Sequence, residues 1–285
     1  MPRLRPYALA ALVLTPMLLA FLSVTVPAQA DDADKPIRAL LVIGGCCHDY
    51  AKQKDLLTKG ISARANVQWK IAYEKDTTTK KLNPVYENAD WAKGFDVVVH
   101  DECSADVKDK AIIDRILQPH RDGLPGVVLH CGMHSYRGEG YPKETEWFKF
   151  TGLNTNGHGP QLPIEVAFTD KDSEITKGMA DWKTVNEELY NNLTGKLLDT
   201  AKPLARGKQV VKDKSGTEKT ADCVVVWTNE YAGKAKVFAT TLGHNNATVE
   251  DPKYLDLVTR GLLWSVGKLD DKHLKPAKQV LLDEK

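Results

Sequence analysis

The chain has 285 residues, with 39 lysines and arginines against 38 aspartates and glutamates, a formal net charge of +1. That balance offers no basic face for nucleic acid or anionic lipid. Five cysteines in this length also exclude a small disulfide-stapled scaffold.

The first segment reads as an address rather than as fold. Arg3 and Arg5 precede a mostly apolar run over residues 7–26, and Ala28-Gln29-Ala30 is a small-x-small site. This predicts a secretory signal peptide over 1–30, cut after Ala30, and an exported, periplasmic or secreted protein with no membrane attachment after cleavage. An uncleaved anchor is the alternative, opposed by Pro16 and by the acids Asp31, Asp32 and Asp34. Cleavage would leave 255 residues of net charge −1, because two arginines and no acid are removed. That length suits one large α/β domain, assigned to 31–269, with a polar tail over 270–285.

Residues 38–44 form an apolar run that predicts the first strand, followed by a helix over 51–65 with Leu56, Leu57 and Ile61 toward the core. Residues 67–73 alternate apolar and polar side chains as a half-covered strand does. A strand over 95–100, a helix over 107–117 and a strand over 127–131 complete a βαβαβ rhythm, which predicts parallel pairing through right-handed crossovers. Loop residues 132–141, a short helix over 144–151 and a glycine- and proline-rich stretch over 154–163 follow. Further strands are expected at 164–169, 188–193, 203–211, 223–228 and 237–242. A closing amphipathic helix spans 254–266, and a mobile end follows Gly267.

Four histidines fall at or just after the predicted strand ends: His48, His100, His130 and His244. In open parallel sheets ligands bind at the carboxyl ends of strands, so these imidazoles, with Asp101, Glu102, Cys131 and His134, are expected on one rim. Gly44-Gly45 before His48 would let the backbone approach a ligand. The spacings of dinucleotide- and NTP-binding loops are absent, so no nucleotide cofactor is expected. Glu188 and Tyr190 would share one face of a strand with Leu189 on the other; a carboxylate beside a phenol serves acid/base work or holds hydroxyls. Each of these residues also has a plainer reading, as a helix cap, a strand-end hydrogen bond or an exposed strand face. His120 and His273 lie in polar segments and are assigned nothing. The odd cysteine count leaves at least one thiol unpaired within a chain; buried free thiols and a Cys103–Cys131 bridge are both compatible with the sequence.

Several segments carry a resemblance. These are Lys236 through Asn245, Gly261-Leu262-Leu263-Trp264, Glu187-Glu188-Leu189-Tyr190, Gly157-His158-Gly159, Pro163-Ile164-Glu165-Val166 and Ile175-Thr176-Lys177-Gly178. With Gly44, Gly45 and His48 after the first strand, their order and spacing resemble the ThuA-like (trehalose-utilisation) family of the class I glutamine amidotransferase-like fold, over about residues 37–269. The resemblance implies a flavodoxin-like three-layer α/β fold with a mainly parallel central sheet flanked by helices. It implies processing of oxidised (3-keto) disaccharides or glycosides, with a divalent metal such as zinc held by His and carboxylate side chains, and it carries over to His48, Glu188, Tyr190 and His244. The chain departs from the pattern in two places. Ser173-Glu174 stands where a His-Pro pair is common, and Leu129 replaces the first glycine of a G-x-C-x-G elbow. No His-x-Glu pair completes a cysteine triad, so glutaminase activity is not expected.

The site expected from these readings has His244, Glu188 and His48 as catalytic groups. Tyr190, Asn245, Asp101, Glu102 and His158 would bind a small-molecule carbohydrate, and His134, His48 and His244 would bind metal. The reaction would be hydrolysis, isomerisation or elimination beside a keto-sugar carbonyl. The alternatives are a non-catalytic sugar-binding protein using Trp147 or Tyr136, and a cysteine-dependent amidase using Cys131.

Overall fold

The computed structural model describes residues 35–193, 197–212 and 215–275. The expected signal peptide over 1–30 and residues 276–285 of the expected tail lie outside the described residues. The strands are β1 (Ile37–Gly45), β2 (Val67–Glu74), β3 (Val97–Cys103), β4 (Gly126–Leu129), β5 (His158–Phe168), β6 (Trp182–Tyr190), β7 (Ala201–Lys212), β8 (Glu218–Tyr231) and β9 (Ala235–Thr240). The helices are α1 (Tyr50–Ser62), α2 (Lys110–Arg121), α3 (Glu146–Thr151), α4 (Asn246–Val249) and α5 (Pro252–Ser265). No helix among the described residues is long and apolar enough to cross a membrane.

The strands form one sheet in the order β2-β1-β3-β4-β9-β8-β7-β5-β6. The first five are parallel neighbours, in the 2-1-3-4-5 order of a flavodoxin-like sheet. The last four join antiparallel. The sheet is therefore mixed, its longest pairing is the antiparallel β7–β8 ladder, and the expectation of a mainly parallel sheet is corrected. The cause is the length of the connections. Residues 213–217 join β7 to β8 and residues 232–234 join β8 to β9, whereas a parallel neighbour needs a crossover of about a dozen residues.

Both faces of the sheet are covered. Along β1, Ala39, Leu41 and Ile43 join the core under α1 and α5, while Leu40 and Val42 join the core under α2 and α3. Two proline-bearing elements run further than their sequence suggests. Pro119 lies inside α2, where it cannot donate to the carbonyl of Arg115; that oxygen accepts from the Trp91 indole instead, at 3.3 Å. β5 extends back through Pro163 and Pro160 to His158 because register shifts at His158/Gln161 and Pro163/Glu165 relieve the ladder where donors are missing. β6 begins at Trp182, upstream of the expected 188–193. The residues directly after Gly267 are also fastened: Lys275 N donates to Arg64 O at 2.8 Å, and Leu274 packs on the α1/α5 core.

Candidate active site

The site is assembled from four strand ends. At the first, Gly45 pairs with Cys103 across β1 and β3. Gly45 has φ +98°, and a Cβ there would lie 2.4 Å from the Cys103 carbonyl oxygen, so only glycine lets the chain pass. Cys46 and Cys47 follow, joined by a disulfide, leaving Cys103, Cys131 and Cys223 as free thiols. The Cys103–Cys131 bridge left open by the sequence is not formed. Asp49 then caps α1 by accepting from Lys52 N, which holds His48 at the rim.

At the second, β4 ends at Leu129 and His130 adopts φ +38° before a 3₁₀ turn over His130–His134. A strained strand-to-helix turn of this kind presents the nucleophile in α/β-hydrolases; here it presents an imidazole. Cys131, which the sequence suggests for this position, lies one residue further on. His130 Nδ1 lies 2.7 Å from Thr241 O. A carbonyl only accepts, so Nδ1 carries a proton, and Nε2 is the nitrogen that faces the site. Tyr190 Oη lies 3.1 Å from that nitrogen.

β6 supplies Glu188 and Tyr190 on one face, as alternation predicts. The buried Glu187 points elsewhere and accepts the backbone N–H groups of His244 (3.2 Å) and Asn245 (3.1 Å). Gln53 of α1 donates to the carbonyls of Gly243 and His244 from the other side. The loop after β9 is thus clamped by residues distant in sequence.

These supports bring His48, His130 and His244 together. Their ring centroids lie 4.7, 4.7 and 5.5 Å apart, and one ligand atom from each falls within 4.8 Å of the others. Glu188 Oε2 lies 3.2 Å from His244 Nδ1, off the hydrogen-bond direction, and 3.5 Å from both His130 Nε2 and His158 Nε2. Burial alone would raise the Glu188 carboxyl, but His130 and His244 outweigh it and hold it well below the usual carboxylate range. Burial likewise opposes the charge on His244, and Glu188 overcomes it, raising that imidazole above its ordinary value. Burial first, then His130 and His244, push His48 down to about 2. His48 is therefore a neutral donor, and its buried Nδ1 has no hydrogen-bond partner. Ring nitrogens converging on an ionised carboxylate favour a positive charge at their centre, a proton or a cation.

The other expected residues distribute unevenly. His158 stands exposed at the mouth. His134 lies outside the three-histidine group: its ring stacks on Tyr190 at 4.1 Å and its Nε2 meets Thr155 Oγ1 at 3.2 Å. His130 takes the place expected of His134. The Asn245 amide is bonded to Asn186 O, so it braces β6 instead of facing a substrate. Glu102 is 1% exposed and accepts from Tyr86 and Tyr136, each at 2.8 Å, on the α2/α3 side; it is withdrawn from the rim. His100 lies with it, 3.0 Å from Glu102 and 3.1 Å from His120. His120 is buried, not in an exposed segment. Asp101 turns the opposite way and is also buried, where burial, Glu102 and Cys103 raise its carboxyl well above the usual range. Trp147 and Tyr136 have no exposed surface, so neither can stack on a sugar. The Cys131 thiol is buried and pushed up by its hydrogen bond to Cys103 and by desolvation, the reverse of an activated nucleophile.

Gln161 is the recruit that sequence reasoning missed. Its exposed amide donates to Glu188 Oε1 at 3.2 Å and lies 2.8 Å from His244 Nε2. A groove of about 850 Å³ elsewhere is lined by Asp90, Lys93, Arg115 and Asp122, but its lining holds neither imidazole nor thiol.

Comparison with known proteins bears on this site. The sequence model of the ThuA family, described as trehalose utilisation, matches residues 38–265. A crystal structure of a ThuA-like protein from Parabacteroides merdae superposes with a TM-score of 0.61 at 18% identity, covering 85% of this chain and 92% of that one. A ThuA-like protein from Bacteroides uniformis gives 0.58 at 15% identity, covering 87% and 98%. At these identities the likeness concerns the fold alone. No curated protein matches the chain.

Proposed function

The chain belongs to the ThuA, or trehalose-utilisation, family, and on that premise we propose that it is an exported enzyme that processes an oxidised (3-keto) disaccharide or glycoside. The observation that carries this reading is the ionised Glu188 held against His244, His130 and His48 at the strand ends.

A keto group acidifies the C–H bond beside it. Removing that proton leaves an enolate, and the glycosidic oxygen one carbon further on departs with a proton. His244 is the proton-transfer group, since Glu188 raises its imidazole above the ordinary value and so favours its protonated form, as a general acid needs. Glu188 keeps that imidazole charged, and Tyr190 fixes His130. His158 and Gln161 at the mouth bind hydroxyls. His48, His130 and His244 also fit a divalent cation such as zinc, as three imidazole donors once His244 has given up its proton, with an orphaned Nδ1 among them; bound there, it would supply Lewis-acid polarisation of the sugar carbonyl.

Incubation with matched 3-keto and unoxidised glycosides, followed by product analysis, tests the reading. Conversion of the keto substrate, lost in His244→Ala, is the expected result. Calorimetric binding of the sugars with no conversion by the wild type would replace the enzyme with a sugar-binding protein.

A further inference from the structure

We propose that the carboxyl ends of β1 and β3 form a second site, a thiolate site for one soft metal cation, built from Cys46, Cys47 and Cys103 and opened by reduction of the Cys46–Cys47 disulfide.

The placement is dictated by the sheet. β1 and β3 are neighbours whose chains leave to opposite faces, β1 to α1 and β3 to α2. That divergence is the switch point at which flavodoxin-like sheets open a crevice for ligands. The Gly45–Cys103 register and the glycine-only close approach bring the two ends together. Cys46 Sγ and Cys103 Sγ are 3.4 Å apart, and all three sulfurs lie within 4.8 Å of one another. Thiolates about 2.3 Å from a tetrahedral metal are separated by about 3.8 Å, inside the span these sulfurs already occupy. Cys47 is exposed and within reach of a reductant, while Cys103 is buried with the Cys131 thiol behind it.

The disulfide itself contributes little to the fold. Cross-links stabilise by restricting the loop they close, and this one joins adjacent residues. Its chemistry is reversible. Two low-molecular-weight thiols give up two hydrogens and leave joined as a disulfide; the Cys46–Cys47 bond breaks and both sulfurs become thiols. Each thiol, with that of Cys103, releases a proton as its sulfur takes the cation. Soft donors of this kind select Cu(I), Zn(II) or Cd(II) over hard cations.

The experiment is a Cd(II) titration of the full chain, reduced with a phosphine under argon and then desalted, followed by the thiolate-to-cadmium charge-transfer absorption. That band reports sulfur ligation and is silent to metal on the histidines. The reduced wild type should develop the band and saturate at one equivalent, and the untreated disulfide form should show none. Cys103→Ser should weaken binding by about tenfold or more, the least that loss of even an outer-shell partner tends to cost. Cys47→Ser, at an exposed position that leaves the core intact, should do the same, and Cys223→Ser should leave the band unchanged. Absence of the band in the reduced wild type would overturn the proposal, as would a band in the oxidised protein or undiminished affinity in Cys47→Ser.

Discussion

Glu188 and His244 form a charge pair at 3.2 Å, and the groups that hold these two residues are as informative as the pair. Glu187 accepts two backbone N–H groups from the His244 loop. Glu187→Ala leaves those donors without an acceptor, at a cost of about 1–3 kcal/mol, and frees His244 to move. Urea unfolding should show the loss, and kcat should fall more than KM rises, because the fault lies in placing the proton-transfer group. Period-two alternation already puts Glu188 and Tyr190 on one face. Nothing local reveals Glu187, whose partners lie 57 and 58 residues away. The alternation that serves β6 also explains the fate of Asp101 and Glu102. Adjacent strand residues point to opposite faces, so the two could not both line the rim, and Glu102 pairs with His100 beneath the sheet. His130 was legible as a strand-end histidine. What the sequence hides is its positive φ, which turns the ring inward and leaves His134 to stack on Tyr190.

The elements were readable where local pattern and topology agree. β1 through β4 with α1 and α2 follow the βαβ rhythm closely, because each crossover helix announces itself between two apolar runs. The second half was not, because a short apolar strand in a hairpin looks like one in a parallel ladder; the length of the connection decides, and only a few residues separate β7 from β8 and β8 from β9. β5 was hidden behind Gly157, Gly159, Pro160 and Pro163, breakers that the register shifts accommodate. At this scale the loop after β9 yields a prediction. Gly243 has φ +125°, and a Cβ there would lie 2.8 Å from Tyr254 Oη. Gly243→Ala should cost about 1–3 kcal/mol in strain and reduce turnover by displacing His244. Equal Tm and kcat in this variant and the wild type would show that the loop tolerates the change.

For the molecule as a whole, buried neutral histidines set the acid limit of stability. Burial, followed by the neighbouring His100 imidazole for His120 and by Arg137 for His134, holds both at about 3. The unfolded chain takes up these protons near 6.5, whereas the folded one refuses them until far lower pH. Their contribution is thus fully present above 6.5 and is lost as pH falls from 6.5 toward 3. Each proton contributes a slope of about 1.4 kcal/mol per pH unit within that window. Glu188 acts in the same direction at lower pH, since its depressed value keeps its contribution until pH falls below the usual carboxylate range. His244 acts oppositely: its raised value gives stability below 6.5 that fades as pH rises through the folded value. Urea midpoints measured from pH 7 to 4 should fall steeply, and His120→Gln should flatten the slope; identical slopes would contradict the assignment. The central claim concerns the site, and Glu188→Gln tests it most directly, through the pH profile of kcat/KM on a 3-keto glycoside. The account predicts a fall of about 100-fold or more and an alkaline limb displaced to lower pH, because His244 loses the charge that keeps it protonated. Full turnover with an unmoved profile would contradict it.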